Sequence, residues 1–257
     1  MAATTHRSPR LYIERELDGG NLTLDEREAH YLKQVLRLKR GDKLAVFNGR
    51  GTERYASVES LQRRGGELAL ADPQAPLPES PLELTLIQAL PKSDAMDLIV
   101  QKATELGARA LLPVYTELSV VKLDAERSER RLDHWRKVAQ SACEQCGRHR
   151  PPRIEPAASL AEALEALPSA PRRVALDPLA PAPLGEQPPP SHGLVVAIGP
   201  EGGFGATDWR RLDSAEFARM ALGPRVLRVE TAAVALCAIA QARWGDLSGS
   251  ASRASPA

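Results

Sequence analysis

The sequence predicts an α/β protein, in which a parallel sheet with helices on both faces follows a small β-barrel carrying one helix. Three observations predict it. From Leu84 onward, short apolar runs alternate with helical stretches, the pattern of strand–helix–strand units. Leu194–Ile198 is apolar at every position and runs into Gly199, as a strand covered on both faces does. Residues 10–72 instead mix short β-like runs with glycine-rich turns, and four prolines in Pro73–Pro81 separate the two patterns as a stiff linker.

The β-like runs of the first part are Leu11–Ile13, Lys43–Phe47, Tyr55–Ser60 and Glu67–Ala71, with Asn48-Gly49-Arg50-Gly51 as a hairpin turn. One helix interrupts them at Asp25–Leu36, with Ala29, Leu32, Val35 and Leu36 on one face. In the second part, Leu84–Ala89 is a strand. Asp94–Leu106 is a helix that points Met96, Ile99, Ala103 and Leu106 inward and stops at Gly107. Leu111–Val114 follows as a strand, then Arg130–Gly147 as a helix burying Leu132, Trp135, Val138, Ala142 and Cys146. Leu160–Leu167 is a short helix, Val174–Leu176 a strand and 178–190 a proline-rich exposed loop. Leu194–Ile198, Asp208–Phe217, Met220–Leu222 and Thr231–Trp244 close the series as strand, helix, strand and helix. The expected domains are a barrel over 1–72, the linker 73–81, the α/β domain 82–247 and a disordered small-residue tail 248–257.

At 257 residues, with 43% hydrophobic and 26% charged, the chain has the composition of a folded two-domain protein. No apolar run approaches the roughly 20 residues of a membrane-spanning helix. The first ten residues lack the apolar stretch of a secretory signal. Three cysteines suit a reducing cytoplasm, where none need pair. The net charge of +1 argues neither for nor against nucleic acid, but the charge is uneven. Arg27–Lys43 holds six Lys or Arg against two acids, and Arg127–Arg153 eight against three. Either stretch alone is an ordinary solvated face; together they favour localised phosphate contacts.

Ile198-Gly199-Pro200-Glu201-Gly202-Gly203-Phe204 joins a buried strand to a helix. Three glycines there exceed what a tight turn needs and let backbone approach a ligand closely. The spacing is not G-x-G-x-x-G, and no G-x-x-x-x-G-K-[ST] occurs, which disfavours a dinucleotide enzyme and an NTPase. The second constellation runs from Leu222-Gly223-Pro224-Arg225 to Val226-Leu227-Arg228-Val229-Glu230-Thr231-Ala232-Ala233. Thr231 is positioned to cap the helix that follows, and Arg225 and Arg228 to meet an anion or ligand at its start. Cys143-Glu144-Gln145-Cys146 has no second C-x-x-C and no paired histidines beside it, so inert packing is expected and no metal.

Further motifs accompany the two loops. His30-Tyr31-Leu32-Lys33-Gln34-Val35-Leu36-Arg37-Leu38-Lys39-Arg40-Gly41-Asp42 lies in the first part. Ala89-Leu90-Pro91-Lys92, Met96-Asp97 and Gln101-Lys102-Ala103-Thr104-Glu105-Leu106-Gly107 open the second. Trp135-Arg136-Lys137 and Glu144-Gln145-Cys146-Gly147-Arg148 mark its long helix. In this order they resemble the RsmE family of knotted SPOUT methyltransferases, which methylate N3 of a uridine in 16S ribosomal RNA. The resemblance covers nearly the whole chain. Three positions depart from it: Leu118 where relatives often carry arginine, Val229 where threonine is frequent, and Asp208 where glutamate is common.

The resemblance implies a PUA-like RNA-binding barrel and a C-terminal domain whose chain threads a trefoil knot, a rarity among folds. It implies S-adenosylmethionine (SAM) as cofactor, 16S ribosomal RNA within the 30S subunit as partner, a homodimer and a cytoplasmic location. Ile198, Gly199, Pro200, Gly202 and Gly203 would line one side of SAM, and Leu222, Gly223, Leu227, Arg228, Thr231 and Ala232 the other. His30, Lys33, Arg37, Lys39, Lys92, Lys102, Gln145 and Arg148 are the expected RNA contacts, and Gln88 is a further polar residue near an element end. For chemistry, Arg228 is the expected anion-stabilising cation, Glu201 the candidate base and Glu105 its competitor. Two alternatives stay open from sequence: a knotted ribose 2′-O-methyltransferase and a non-catalytic ribosome-assembly RNA-binding protein.

Overall fold

The computed structural model describes residues 8–92, 95–119, 124–168, 171–180 and 190–247. The expected tail 248–257, most of the proline-rich loop 178–190 and Asp94 of the expected second helix lie outside the described residues. The chain divides into two units. The first runs to Pro78 and takes in Cys143–Pro151; the second holds Glu79–Ala142 and the chain from Pro152 onward. Apolar residues collect accordingly, in one cluster within the first unit and in two on the faces of a sheet in the second.

In the first unit the sheet order is β1-β3-β4-β5-β2, with β1 (Arg10–Tyr12), β2 (Asn21–Leu24), β3 (Lys43–Phe47), β4 (Glu53–Gln62) and β5 (Gly65–Gln74). Register shifts between β4 and β5 bend this ribbon over Leu44, Val46, Ala56, Val58, Leu68 and Leu70. The hairpin at Asn48 forms as expected, because the Asn48 side chain accepts from the Arg50 and Thr52 amides at 2.9 and 3.2 Å and Gly49 supplies φ of 75°. β2 escaped the sequence reading, although its Leu22 and Leu24 bury alternately as a strand requires.

The expected helix begins where predicted, with Asp25 and Glu28 forming a reciprocal cap on α1 (Glu26–His30). It then widens into a π turn over Tyr31–Val35, closed by Leu36 N–H donating to the Tyr31 carbonyl. A wider turn carries more residues around the axis. Ala29 and Leu32 stay inside as expected, but Val35 swings outward to 60% exposure, against the even 3.6-residue period assumed for it.

In the second unit all strands are parallel in the order β12-β10-β11-β6-β7-β8, with a short β9 also on β7. They are β6 (Leu84–Ala89), β7 (Ala110–Tyr115), β8 (Arg153–Ile154), β9 (Ala158–Ser159), β10 (Arg172–Leu176), β11 (Leu194–Ile198) and β12 (Ala218–Met220). Alternation sorts the sheet's side chains. Leu84, Leu86, Leu194, Val196 and Ile198 meet α2 (Ala95–Glu105), α3 (Ala125–Cys146) and α6 (Val229–Trp244) on one face. Ile87, Ala89, Val195 and Ala197 meet α4 (Leu160–Glu165) and α5 (Ala206–Ser214) on the other. Helices therefore cover both faces, as the alternating pattern predicted.

Several boundaries move. The long helix starts at Ala125, five residues before the expected Arg130, and β12 ends at Met220, where the expected strand began. α6 starts at Val229 with Arg228 as N-cap, and the Arg228 carbonyl accepts the Ala232 N–H at 2.8 Å. Thr231 is thus a residue of the first turn and not its cap, because the helix begins three residues earlier than its hydroxyl suggested. At the far end, Gln241 is buried, accepting from Ser80 Oγ at 2.6 Å and donating to the Gly107 carbonyl at 3.3 Å. Gly107, at φ of 77°, leaves room for that amide where a Cβ would lie 2.7 Å from it. No described helix is long and apolar enough to cross a membrane.

Candidate active site

A parallel sheet sends every strand's carboxyl end to one edge, and ligands of such sheets collect there. Among the loops that leave this edge are Leu90–Lys92 after β6, Thr116–Ser119 after β7, Gly199–Gly205 after β11 and Ala221–Arg228 after β12. Hydrogen bonds join three of them. The Lys92 N–H donates to Glu201 Oε1 at 2.9 Å. Glu117 bonds twice to the start of α5: Asp208 Oδ2 accepts from the Glu117 and Gly205 amides at 2.9 and 3.1 Å, and Glu117 Oε2 accepts from the Thr207 amide at 2.8 Å. Asp208 is fully buried, and its Oδ2 takes both of these bonds.

The glycine loop turns back on itself, with the Gly203 N–H donating to the Pro200 carbonyl at 2.8 Å. A Cβ on Gly199 would lie 3.0 Å from the Gly203 carbonyl carbon, so a side chain here would push the loop's own backbone by a few tenths of an ångström. Gly203 and Gly223 differ from it. Both have positive φ, 73° and 86°, and a Cβ on either would meet nothing within 4 Å. Bare backbone beside open space is what a closely held ligand needs. Next to Gly202 the nearest side chain is that of Leu118, which is 44% exposed. Phe204 is buried and packs edge-on to Trp209, anchoring the loop's far end.

Arg225 and Arg228 are exposed, and among the described residues neither has an ion-pair partner, so both cations face outward from the second loop. Ile198, Leu222, Val229, Ala232 and Ala233 pack on the same face of the sheet, beneath the start of α6. The predicted residues of the two loops are therefore brought to one edge. Glu105 is not among them. α2 runs back from the carboxyl edge, and Glu105 lies at its end, two residues before the Gly107 that Gln241 contacts at the amino edge. It is paired there with Lys102 at 2.9 Å, one turn back on the same helix.

In the first unit His30, Lys33, Arg37, Lys39 and Gln145 are exposed and Arg148 is half-buried. Arg37 has φ of 56°, a left-handed conformation that costs an ordinary side chain about 1–2 kcal/mol. Sequence reasoning missed how two distant motifs meet here. Tyr31 Oη donates to Glu144 Oε2 at 3.1 Å, the Tyr12 N–H donates to Glu144 Oε1 at 2.9 Å, and Arg10 donates to the Arg148 carbonyl at 2.9 Å. Burial raises the Glu144 carboxyl above its ordinary range, opposed by these hydrogen bonds and by Arg10. Burial, then the charge of Glu144, raises Tyr31 from 10.0 to about 12. The sign follows: the tyrosine's contribution to stability is intact below pH 10.0 and is lost as pH rises through about 12. Ultraviolet titration of the native protein should show one late-ionising tyrosine that is absent from Tyr31→Phe. A late phase that persists in the variant assigns the shift elsewhere.

The three cysteines are all free thiols, and burial pushes Cys237 up to about 12. Among the described residues no group of three or more His, Cys, Asp or Glu side chains could hold a metal ion.

Fold and site together define an RNA methyltransferase: residues 78–241 match the family model described as an RNA methyltransferase domain, and 24–70 the RNA methyltransferase PUA domain. The small-subunit ribosomal RNA methyltransferase E of Buchnera aphidicola is 30% identical over 94% of this chain and 99% of its own. The protein of the same name from Neisseria gonorrhoeae, solved bound to S-adenosyl methionine, is 34% identical. It superposes with a TM-score of 0.87 over 93% of this chain and 99% of that one. A methyltransferase of Legionella pneumophila, solved with bound SAM, is 33% identical with a TM-score of 0.88 over 94% and 100%. The chain belongs to the ribosomal RNA small subunit methyltransferase E family.

Proposed function

We propose that this protein transfers the methyl group of SAM to N3 of one uridine in 16S ribosomal RNA of the 30S subunit, acting as a cytoplasmic homodimer. The observation that carries the reading is the pair of bare, positive-φ glycine backbones, Gly203 and Gly223, on two loops of the carboxyl edge whose second loop ends in Arg228. The barrel of residues 1–72 would hold RNA, and 82–247, with the family's knotted crossing of the two loops, would hold the cofactor.

SAM would supply a methyl carbon activated by the sulfonium. Ile198, Gly199, Pro200, Gly202 and Gly203 on one side, with Leu222, Gly223, Leu227, Arg228, Thr231 and Ala232 on the other, orient it and exclude water. Uracil N3 is a poor nucleophile while it holds its proton. The Arg228 guanidinium faces a uracil carbonyl oxygen and stabilises the anion left when that proton passes to a solvent water. The N3 lone pair then forms the N–C bond as the S–C bond breaks and its electrons return to sulfur. Alignment of N3 with the methyl supplies much of the remaining acceleration.

Glu201 commits one carboxylate oxygen to the Lys92 amide, which favours holding the loop over taking the proton. A glutamine keeps that acceptor and removes the base. Glu201→Gln is therefore expected to turn over within about threefold of wild type, a difference of under 1 kcal/mol. Glu201→Ala should bind SAM more weakly. A collapse of turnover in Glu201→Gln with unchanged SAM affinity would return the base role to it.

The homodimer is supported by α6, which is apolar at every position from Ala232 to Ala240 and yet leaves Val234, Ala235 and Ala238 partly exposed along one stripe. Such a helix is normally covered all round. RNA contact by Arg37 is supported by its strained backbone, where glycine would sit without cost. Arg37→Gly should hold or raise the melting temperature while weakening 16S binding. It should also reduce the slope of log affinity against log salt by about one. An unchanged slope would remove Arg37 from the phosphate contacts. The reading as a whole is tested by methyl transfer from radiolabelled SAM to 30S particles lacking the modification, with naked 16S RNA alongside. Label incorporated into RNA supports it. Calorimetric binding of RNA without any binding of SAM would instead leave the chain a pure RNA-binding factor.

A further inference from the structure

The first turn of α6 divides its side chains between two surroundings. Val229, Ala232 and Ala233 pack into the sheet-face cluster, which leaves Arg228, Glu230 and Thr231 on the outer side. Glu230 is half-buried, and among the described residues its carboxylate has neither a hydrogen-bond donor nor an ion-pair partner. Four other carboxylates at this edge are engaged. Glu201 accepts from the Lys92 amide, Glu117 from the Thr207 amide, Asp208 from the Glu117 and Gly205 amides, and Asp177 from the Leu179 amide. Glu230 also stands two residues from Arg228, so their Cα atoms are at most about 7 Å apart. Uracil presents a carbonyl, the N3–H and a second carbonyl side by side on one edge. A cation for a carbonyl and an acceptor for the neighbouring proton must therefore come from adjacent positions. Arg228 and Glu230 are such a pair, opposite in charge and, among the described residues, without an ion pair between them.

We propose that Glu230 is the final acceptor of the uracil N3 proton, receiving it through the water that takes it first; this rests on the reading of the site as a uridine N3-methyltransferase. The relay follows from the geometry of the reaction. The N3–H bond lies in the ring plane, and the lone pair left behind points along the same line, where the sulfonium methyl has to arrive. A carboxylate on that line would occupy the place of the methyl. A water can take the proton, pass one of its own to Glu230 beside the line, and withdraw. The N3 lone pair then forms the N–C bond and the S–C electrons return to sulfur, leaving S-adenosylhomocysteine. The neutral Glu230 carboxyl returns its proton to solvent before the next cycle.

The test is single-turnover methyl transfer from SAM to unmodified 30S particles by wild type, Glu230→Gln and Glu230→Asp, followed as a function of pH. A first-turn carboxylate also supports its helix, so melting temperature and SAM affinity are read on each protein. Glu230→Gln is expected to react about a hundredfold or more slowly near neutral pH, while binding SAM within about twofold of wild type and melting within a few degrees of it. Its rate should climb about tenfold per pH unit above neutrality, because it depends on uridine that has already lost its proton to bulk water, whereas wild type stays flat. Glu230→Asp keeps a carboxylate and should recover part of the rate with the flat profile. Turnover of Glu230→Gln within about threefold of wild type overturns the proposal and leaves the proton to solvent. A slow Glu230→Gln with the flat profile of wild type overturns it too, and makes Glu230 a support of the helix start. An equal loss of SAM affinity overturns it in favour of a cofactor contact. Failure of wild type itself to methylate uridine N3 refutes the reading of the site, an outcome seen without any variant.

Discussion

Arg228→Ala is expected to lower turnover on 30S particles by about 10²–10³-fold, the usual loss when one preorganised charge-stabilising group is removed. The fold should be indifferent to the change. Arg228 is exposed, it begins α6 through its backbone carbonyl, and its side chain makes no capping hydrogen bond. Its loss should therefore leave the melting temperature within a degree or two, because exposed substitutions away from such features fall within about ±0.5 kcal/mol. SAM affinity should fall by less than tenfold, since the glycine backbone does most of the holding. Arg228→Lys restores the charge but not the planar fork, so it should recover only part of the rate. If turnover and SAM affinity fell together by the same factor, Arg228 would be a cofactor clamp alone.

Gly203→Val is expected to abolish measurable SAM binding, a loss of at least a hundredfold, or about 2.7 kcal/mol. Two effects contribute and can be separated. At φ of 73° a β-branched side chain is strained, and that strain costs stability with or without a ligand. The side chain itself would meet no protein atom within 4 Å of its Cβ, so any loss of binding beyond the strain reports an occupant of that space. Gly203→Ala carries most of the strain with one methyl group and should bind SAM more tightly than the valine variant. Equal losses in the two would assign the effect to backbone strain alone. Gly199→Ala should behave differently, destabilising the unliganded protein through its 3.0 Å approach to Gly203.

The sheet and its helices were readable because apolar periodicity is a local signal. Leu194–Ile198 and Leu84–Ala89 emerge with the predicted ends, since every position of β11, and nearly every one of β6, faces a core. What was not readable depends on contacts made across the sequence or on departures from regular geometry. Val35 points outward because one turn is wider than the period assumed for it. The start of α6 at Val229 is set by packing of Val229 into the sheet-face cluster, which outweighs the capping preference of Thr231. The bond between Tyr31 and Glu144 joins residues 113 apart, and neither motif announces the other. Both glycine loops were readable as bare backbone near a strand end, yet their composition says nothing of which glycines are spatially forced. The structure separates Gly199, crowded by the backbone of Gly203, from Gly203 and Gly223, which face open space. Glu105 looked equal to Glu201 as a carboxylate in a motif, and only the direction of α2 sets the two at opposite edges of the sheet.

The most direct test of the account is mass mapping of 16S RNA from a strain that lacks this gene, before and after its 30S particles are incubated with the purified protein and SAM. The account predicts a gain of one methyl mass at one uridine, carried on the base and blocking its Watson–Crick edge, with no gain when Arg228→Ala replaces the wild type over the same time. A methyl group found on ribose, or no gain at any uridine despite measured SAM binding, would contradict it.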